Sequence, residues 1–202
     1  MAVSDVQIAK MALSHFGDRY DITSLSEASP EAEQVSLVYD NVRDALIREH
    51  PWKFSLRYTS PATLAGTVPA GWANMFTYPS EALRVWRIVN PLDPNQDRLP
   101  PLKFSVGRNS DDVYVLLSNE DEPEFEYGKQ VTNSFEFDTL FDWAFSWRLA
   151  TAIAMPLTGD GGIVGLVRQQ MMFEVGNAKS EDANEGISRE QSRDPDWIRE
   201  RV

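Results

Sequence analysis

The residues of this chain whose types could carry chemistry are two histidines, His15 and His50, and a few clustered carboxylates. A histidine can move protons or hold a metal near neutral pH. These two stand at the ends of separate helix-like segments, with no His-x-x-x-His or His-Glu-x-x-His spacing around either. A cation near a helix C-terminus is favoured by the helix dipole, and that accounts for both. The acidic groups Asp111-Asp112 and Glu120-Asp121-Glu122, with Glu124 beside them, could supply the general acid and base of a glycosidase. They fall in turn-like polar stretches, where solvated charge is the ordinary reason for a carboxylate. The run "GDGGIVGLVRQQ" (159–170) has glycines reminiscent of a phosphate-cradling loop. It follows a helix rather than a strand and lacks the Lys-Ser/Thr that would reach the phosphates. There is no Gly-x-Ser-x-Gly, and without cysteine there is neither a thiolate nucleophile nor a cysteine-ligated zinc. No catalytic, metal or cofactor residue is therefore assigned.

Two other stretches concentrate large side chains. In "ALIREHPWKFSLRY" (45–58) a helical run meets Pro51, which pushes His50 out of the α region and ends the helix. If the chain then runs extended, Trp52, Phe54 and Tyr58 share one side and plug the underside of a helix bundle. The closing "RDPDWIRERV" puts Trp197 and Ile198 on an otherwise charged tail. Trp and Arg dominate interface hot spots, so this tail reads as a partner-docking arm.

Helices must position these pieces. Ser4 and Gln7 form a capping box before Val6, Ala9, Leu13 and Phe16 at helical spacing, with Gly17 at the end. Ser29-Pro30-Glu31 starts a second helix whose buried stripe is Val35, Val38, Val42, Ala45 and Leu46. Between 58 and 133 the pattern changes to strand-length runs: "ALRVWRIV" (82–89), "LKFSV" (102–106), "VYVLL" (113–117) and "FEYGKQV" (125–131). Residues 107–111 join two of these as a hairpin, and "NPLDPNQDRLPP" (90–101) is an exposed loop. A helix from Asp138 to about 157 is apolar on nearly every face, and Pro156 ends or kinks it. A fourth helix, roughly 161–179, carries Ile163, Leu166, Val167, Phe173 and Ala178. Its four glycines each cost about 1 kcal/mol against alanine, so it needs tertiary support.

The predicted fold class is α+β, mainly helical. A four-helix bundle-like domain (1–57 and 134–180) carries an inserted antiparallel β domain (58–133) and an extended C-terminal arm (181–202). The formal charge of −12 excludes a protein that grips phosphate backbones over its whole surface, but not one past which nucleic acid slides. The opening "MAVSDVQIAK" lacks the regions of a signal peptide and no segment has the apolar length of a membrane span, so a soluble intracellular protein is expected.

The runs "VRDALIREHPWKFSLRY" (42–58), "AGWANMFTYPSEALRVWRI" (70–88) and the closing "DPDWIRERV" resemble the phage head-to-tail connectors of the tail tubular protein A family. The resemblance covers most of the chain in order and spacing, and its motifs are structural rather than catalytic. It implies a virion protein, assembled in the host cytoplasm, that forms a twelvefold homo-oligomeric ring beneath the portal protein. The ring would extend the DNA channel to the tail nozzle protein, without sequence-specific DNA contact and without a membrane. It also implies that the C-terminal arm docks on the portal, here through Asp194, Pro195, Trp197, Ile198, Arg199 and Arg201. The β insertion would face the next tail component or a neighbouring subunit. Peptidoglycan cleavage, said of one related adaptor, is the alternative, and would use carboxylates of the β insertion such as Asp111 and Glu124. Two residue-level features point the same way as the ring. The over-apolar helix at 138–157 wants more cover than a four-helix bundle gives, and an acidic wall repels sliding DNA.

Overall fold

A computed structural model describes residues 3–17, 20–93 and 99–185. Ser4 opens α1 (Asp5–Ser14) with the expected capping box: its hydroxyl accepts the Gln7 amide at 3.3 Å, and Gln7 Oε1 accepts the Ser4 amide at 2.8 Å. Ser29 caps α2 (Pro30–Glu49), with Pro30 in the first turn, and His50 leaves the helix in extended conformation as Pro51 requires. Asp138 caps α3 (Thr139–Thr158). Pro156 lies inside α3 rather than ending it; the stop is Gly159, whose φ of +63° is the left-handed geometry glycine adopts freely. Asp160 then caps α4 (Gly161–Asn184), which runs well beyond the expected end near 179. The segment assigned to an extended arm from 181 therefore begins as helix. Asp182, buried in the last turn, is the reason, because its carboxylate is held by the α2–β1 junction.

The bundle core gathers Ile8, Leu13, Val35, Leu46, Phe145, Leu149 and Ile153, with α3 at its centre against α1, α2 and α4. The helix expected to need outside cover is largely satisfied within the chain. The buried stripe of α2 is also rotated from the expected one. Ala32, Val35, Tyr39, Arg43, Leu46 and Ile47 face inward, Val38 and Val42 lie at its margin, and Ala45 is exposed. Two polar residues take buried places because each is satisfied. Tyr39 donates to Asp5 at 3.2 Å, and the Arg43 guanidinium pairs with Asp40 at 2.7 Å and Asp44 at 2.9 Å.

Among the described residues, six strands form two antiparallel sheets. One has the order β1 (Leu56–Thr59), β6 (Phe125–Lys129), β3 (Ala82–Ile88); the other β2 (Asn74–Thr77), β5 (Tyr114–Ser118), β4 (Phe104–Arg108). Each of the four predicted strand runs overlaps a strand; the connection between β4 and β5 lies at 109–113 rather than 107–111, because Gly107 and Arg108 still pair with β5. Strands β1 and β2 lie outside the four predicted runs. Period two decides what each face buries. Phe76 and its cross-strand partner Leu116 pack with Val85, Ile88 and Phe125 between the sheets. Met75 and its partner Leu117 point the other way, under Leu64, Val68 and Trp72 from the long β1–β2 connection. At Gly128 a Cβ would lie 3.1 Å from the Trp86 indole nitrogen, so glycine lets the two strands close there.

Candidate functional site

The His50 stretch is a clasp. The Trp52 indole N–H donates to the Leu46 carbonyl at 2.9 Å, and its ring meets Phe141 edge-on at 5.0 Å in the buried core. Phe54 packs beside it, but Tyr58 is exposed. The expected alternation fails because the Ser55 and Leu56 amides both turn back to the Trp52 carbonyl, so the chain coils before it extends. His50 Nε2 lies 2.9 Å from Asp182 Oδ2, and Asp182 Oδ1 accepts the Lys53 amide at 3.0 Å. One carboxylate on α4 thus ties the end of α2 to the entry of β1.

The two histidines do not meet. His15 stacks on Trp147 with ring centroids 3.5 Å apart, and its Nε2 lies 3.1 Å from Ser146 Oγ. Burial pushes its pKa down to about 4, against a smaller upward pull from Glu174. It is therefore neutral at neutral pH, and the expected role as a cation on the helix dipole does not hold for it. Nor is it the base of a serine nucleophile: Ser146 is fully buried and its hydroxyl already donates to the Trp143 carbonyl at 2.7 Å. On the same helix Asp142 is buried, and burial first, then the neighbouring Asp138, pushes its pKa up to about 7. Its Oδ1 has no hydrogen-bond partner among the described residues.

The carboxylates proposed for hydrolysis are not brought together. Asp111 sits in the β4–β5 turn, whereas Glu124 precedes β6 beyond the other end of β5. The whole length of β5, at roughly 3.3 Å per residue, separates them, more than the spacing of a glycosidase pair. At the start of α4 the Asp160 carboxylate accepts the Gly162 amide at 2.7 Å, so the glycine run holds its own anion. Among the described residues no group of three His, Cys, Asp or Glu could hold a metal, and no helix is long and apolar enough to cross a membrane. Asp194, Pro195, Trp197, Ile198, Arg199 and Arg201 lie outside the described residues.

What the structure adds is a face on α4 that the described residues leave exposed. Val167, Met171, Val175, Ala178 and Asp182 turn inward. At 100° per residue, Gly165, Leu166, Gln169, Met172, Phe173 and Gly176 fall on one stripe of the opposite side. Leu166 is 70% exposed and Met172 and Phe173 are each 67% exposed. A Cβ built on Gly165 or Gly176 would meet nothing within 4 Å. The sequence carried a signal for this, since four glycines and large apolar residues share one helix. The apolar residues there read equally well as an inward stripe, and only the packing separates the two sides. No protein-family model matches the chain, and comparison with curated proteins finds no relative.

Proposed function

We propose that this chain is a structural virion protein: a ring-forming head-to-tail adaptor of the tail tubular protein A kind, which docks under a portal and extends the DNA channel to the tail nozzle. The observation that carries the reading is the α4 stripe. Large apolar side chains alternate there with glycines that no part of the described chain approaches. An apolar patch of this kind on a water-soluble fold marks a protein interface. Glycine beside it allows a second backbone to come close, as at tightly packed helix crossings. The mainly helical domain with its β insertion fits the architecture implied by the three sequence runs, and the net charge of −12 suits a channel wall past which DNA slides.

The clasp adds a mechanical role. By fixing the last turn of α4 against the α2–β1 junction, Asp182 sets the point from which the arm departs. The arm then delivers Trp197 and its flanking arginines to the portal. Mixing the full chain with a portal ring tests this by co-sedimentation and electron microscopy. A ring stacked coaxially on the portal, lost when residues 190–202 are deleted, is the expected result. Absence of any complex overturns the reading.

A further inference from the structure

A cleft of about 690 Å³ opens where the bundle meets the β domain, lined by Arg48, Tyr78, Arg84, Val106, Val113 and Tyr114 among others. The volume is in the range of clefts that enclose a ligand. Its two arginines are held in place by the backbone. Arg48 Nη1 donates to the Leu83 carbonyl at 2.7 Å, and Arg84 Nη1 reaches the Arg48 carbonyl at 3.4 Å, with its guanidinium 4.2 Å from the Trp86 ring centroid. Neither arginine has a carboxylate partner among the described residues, and no acidic residue lines the cleft. Three acids on the flanking elements are taken: Glu49 pairs with Arg148 and Lys179, Glu81 with Lys129, and Asp112 with Arg108, while Asp111 in the β4–β5 turn has no ion pair among the described residues. Other cations of the described chain, Lys53, Arg57, Lys103 and Arg168, also lack a carboxylate partner, but only here do two exposed guanidinium groups line one cleft.

The complementary surface is at the far end of the same β domain. The β5–β6 loop carries Glu120, Asp121, Glu122 and Glu124, none of them ion-paired among the described residues. It is preorganised: the Ala73 amide donates to Asn119 Oδ1 at 2.8 Å, Asn74 Nδ2 to the Glu120 carbonyl at 2.9 Å, and the Glu120 amide to Ser118 Oγ at 3.1 Å. Strand register places the arginine end of the cleft away from the loop, although Phe104, another lining residue, pairs with Ser118. Tyr114 pairs with Arg108 at the cleft end of β5, and Ser118 lies at the loop end. Ala82 pairs with Lys129 at the cleft end of β3, and Ile88 with Phe125 at the loop end. One chain does not seat its own loop in its own cleft.

We infer that the cleft receives the acidic β5–β6 loop of a second copy, whose carboxylates meet Arg48 and Arg84 while Tyr78 and Tyr114 exclude water around the pairs. The contact joins unlike surfaces head to tail, so it propagates from copy to copy and closes as a ring when the rotation closes. This rests on the ring reading and names one contact within it. Opposed charges left unpaired within each copy also favour the correct neighbour over a mis-docked one.

The absence of native cysteine makes the test direct. Ser80→Cys, at the cleft, and Glu122→Cys, in the loop, are prepared as separate full-length chains and mixed under mild oxidation. A disulfide-linked heterodimer is expected, well above the yield with Gln34→Cys in place of the loop variant. Equal yields overturn the contact. Charge reversal supplies the second arm. Arg84→Glu alone, and Glu120→Lys with Glu122→Lys in another chain, should each weaken self-association in sedimentation by about tenfold or more. An equimolar mixture of the two should regain it, because each cleft then again faces a loop of opposite sign. Assembly unchanged in every variant overturns the contact while leaving the ring reading intact; a mixture no better than its components overturns it too. Loss of inorganic phosphate or short-DNA binding in Arg84→Glu, with cross-linking at the control level, would assign the cleft to a free anion instead and likewise overturn it.

Discussion

Two residues show how burial decides chemistry. Trp52 fills the junction below α2 and satisfies its indole N–H on Leu46, so Trp52→Ala removes both packing and a bonded donor. A loss of about 3–5 kcal/mol in urea unfolding is expected; a negligible loss would mean the plug is dispensable. Asp142 acts through ionisation. Its folded pKa, near 7, stands above the ordinary carboxylate value, so its contribution is fully present below about pH 4 and is lost as pH rises through 7. Asp142→Asn should therefore be close to wild type at pH 4 and more stable by a few kcal/mol at pH 8. His15 has the opposite slope. With a folded pKa near 4, its contribution is present above 6.5 and lost as pH falls towards 4. The two slopes offset each other, so the difference between variant and wild-type melting curves is the measurement that reads Asp142. A difference independent of pH would mean that the carboxyl titrates normally.

At the scale of elements, the C-terminal half of α4 is held by Val175 and Ala178 in the core and, at its last turn, by the Asp182 clasp. Asp182→Ala would strand His50 and the Lys53 amide, at a cost of about 1–3 kcal/mol, and speed amide exchange over residues 178–185. Two deletions separate arm from helix: removal of 190–202 should leave the melting temperature unchanged, whereas removal of 181–202 should lower it. Equal melting temperatures would make the clasp energetically idle. The elements that sequence reading recovers are those with local chemistry at their ends: Ser4 and Gln7, Ser29-Pro30, Asp138, and the hairpin between β4 and β5, found two residues on from the expected turn. Those it misses depend on distant partners. Strands β1 and β2 are four residues each and exist through pairing with β6 and β5. Tyr39 enters the core because Asp5, on α1, receives it. Residues 181–184 stay helical because Asp182 finds His50, which lies 132 positions away in the chain. Local periodicity carries none of these long-range pairings.

For the whole molecule, the question is whether α4 is glycine-rich by neglect or by need. In an isolated helix, Gly165→Ala and Gly176→Ala should each stabilise the monomer by roughly 0.5–1 kcal/mol, since alanine fixes helical backbone better and the new methyl meets nothing within 4 Å. If a neighbouring copy approaches that stripe closely, the same methyl groups hold the two backbones apart and assembly weakens. The two effects then have opposite signs: a higher melting temperature for the monomer and a lower yield of rings on the portal. Leu166→Ser and Phe173→Ser should also lower ring yield, yet change monomer stability by no more than about 0.5 kcal/mol because both side chains are already exposed. Alanine variants that melt higher and assemble as well as wild type would show the glycines to be merely unoptimised. They would remove the close backbone approach from the account while leaving the apolar side chains to be judged by the serine pair.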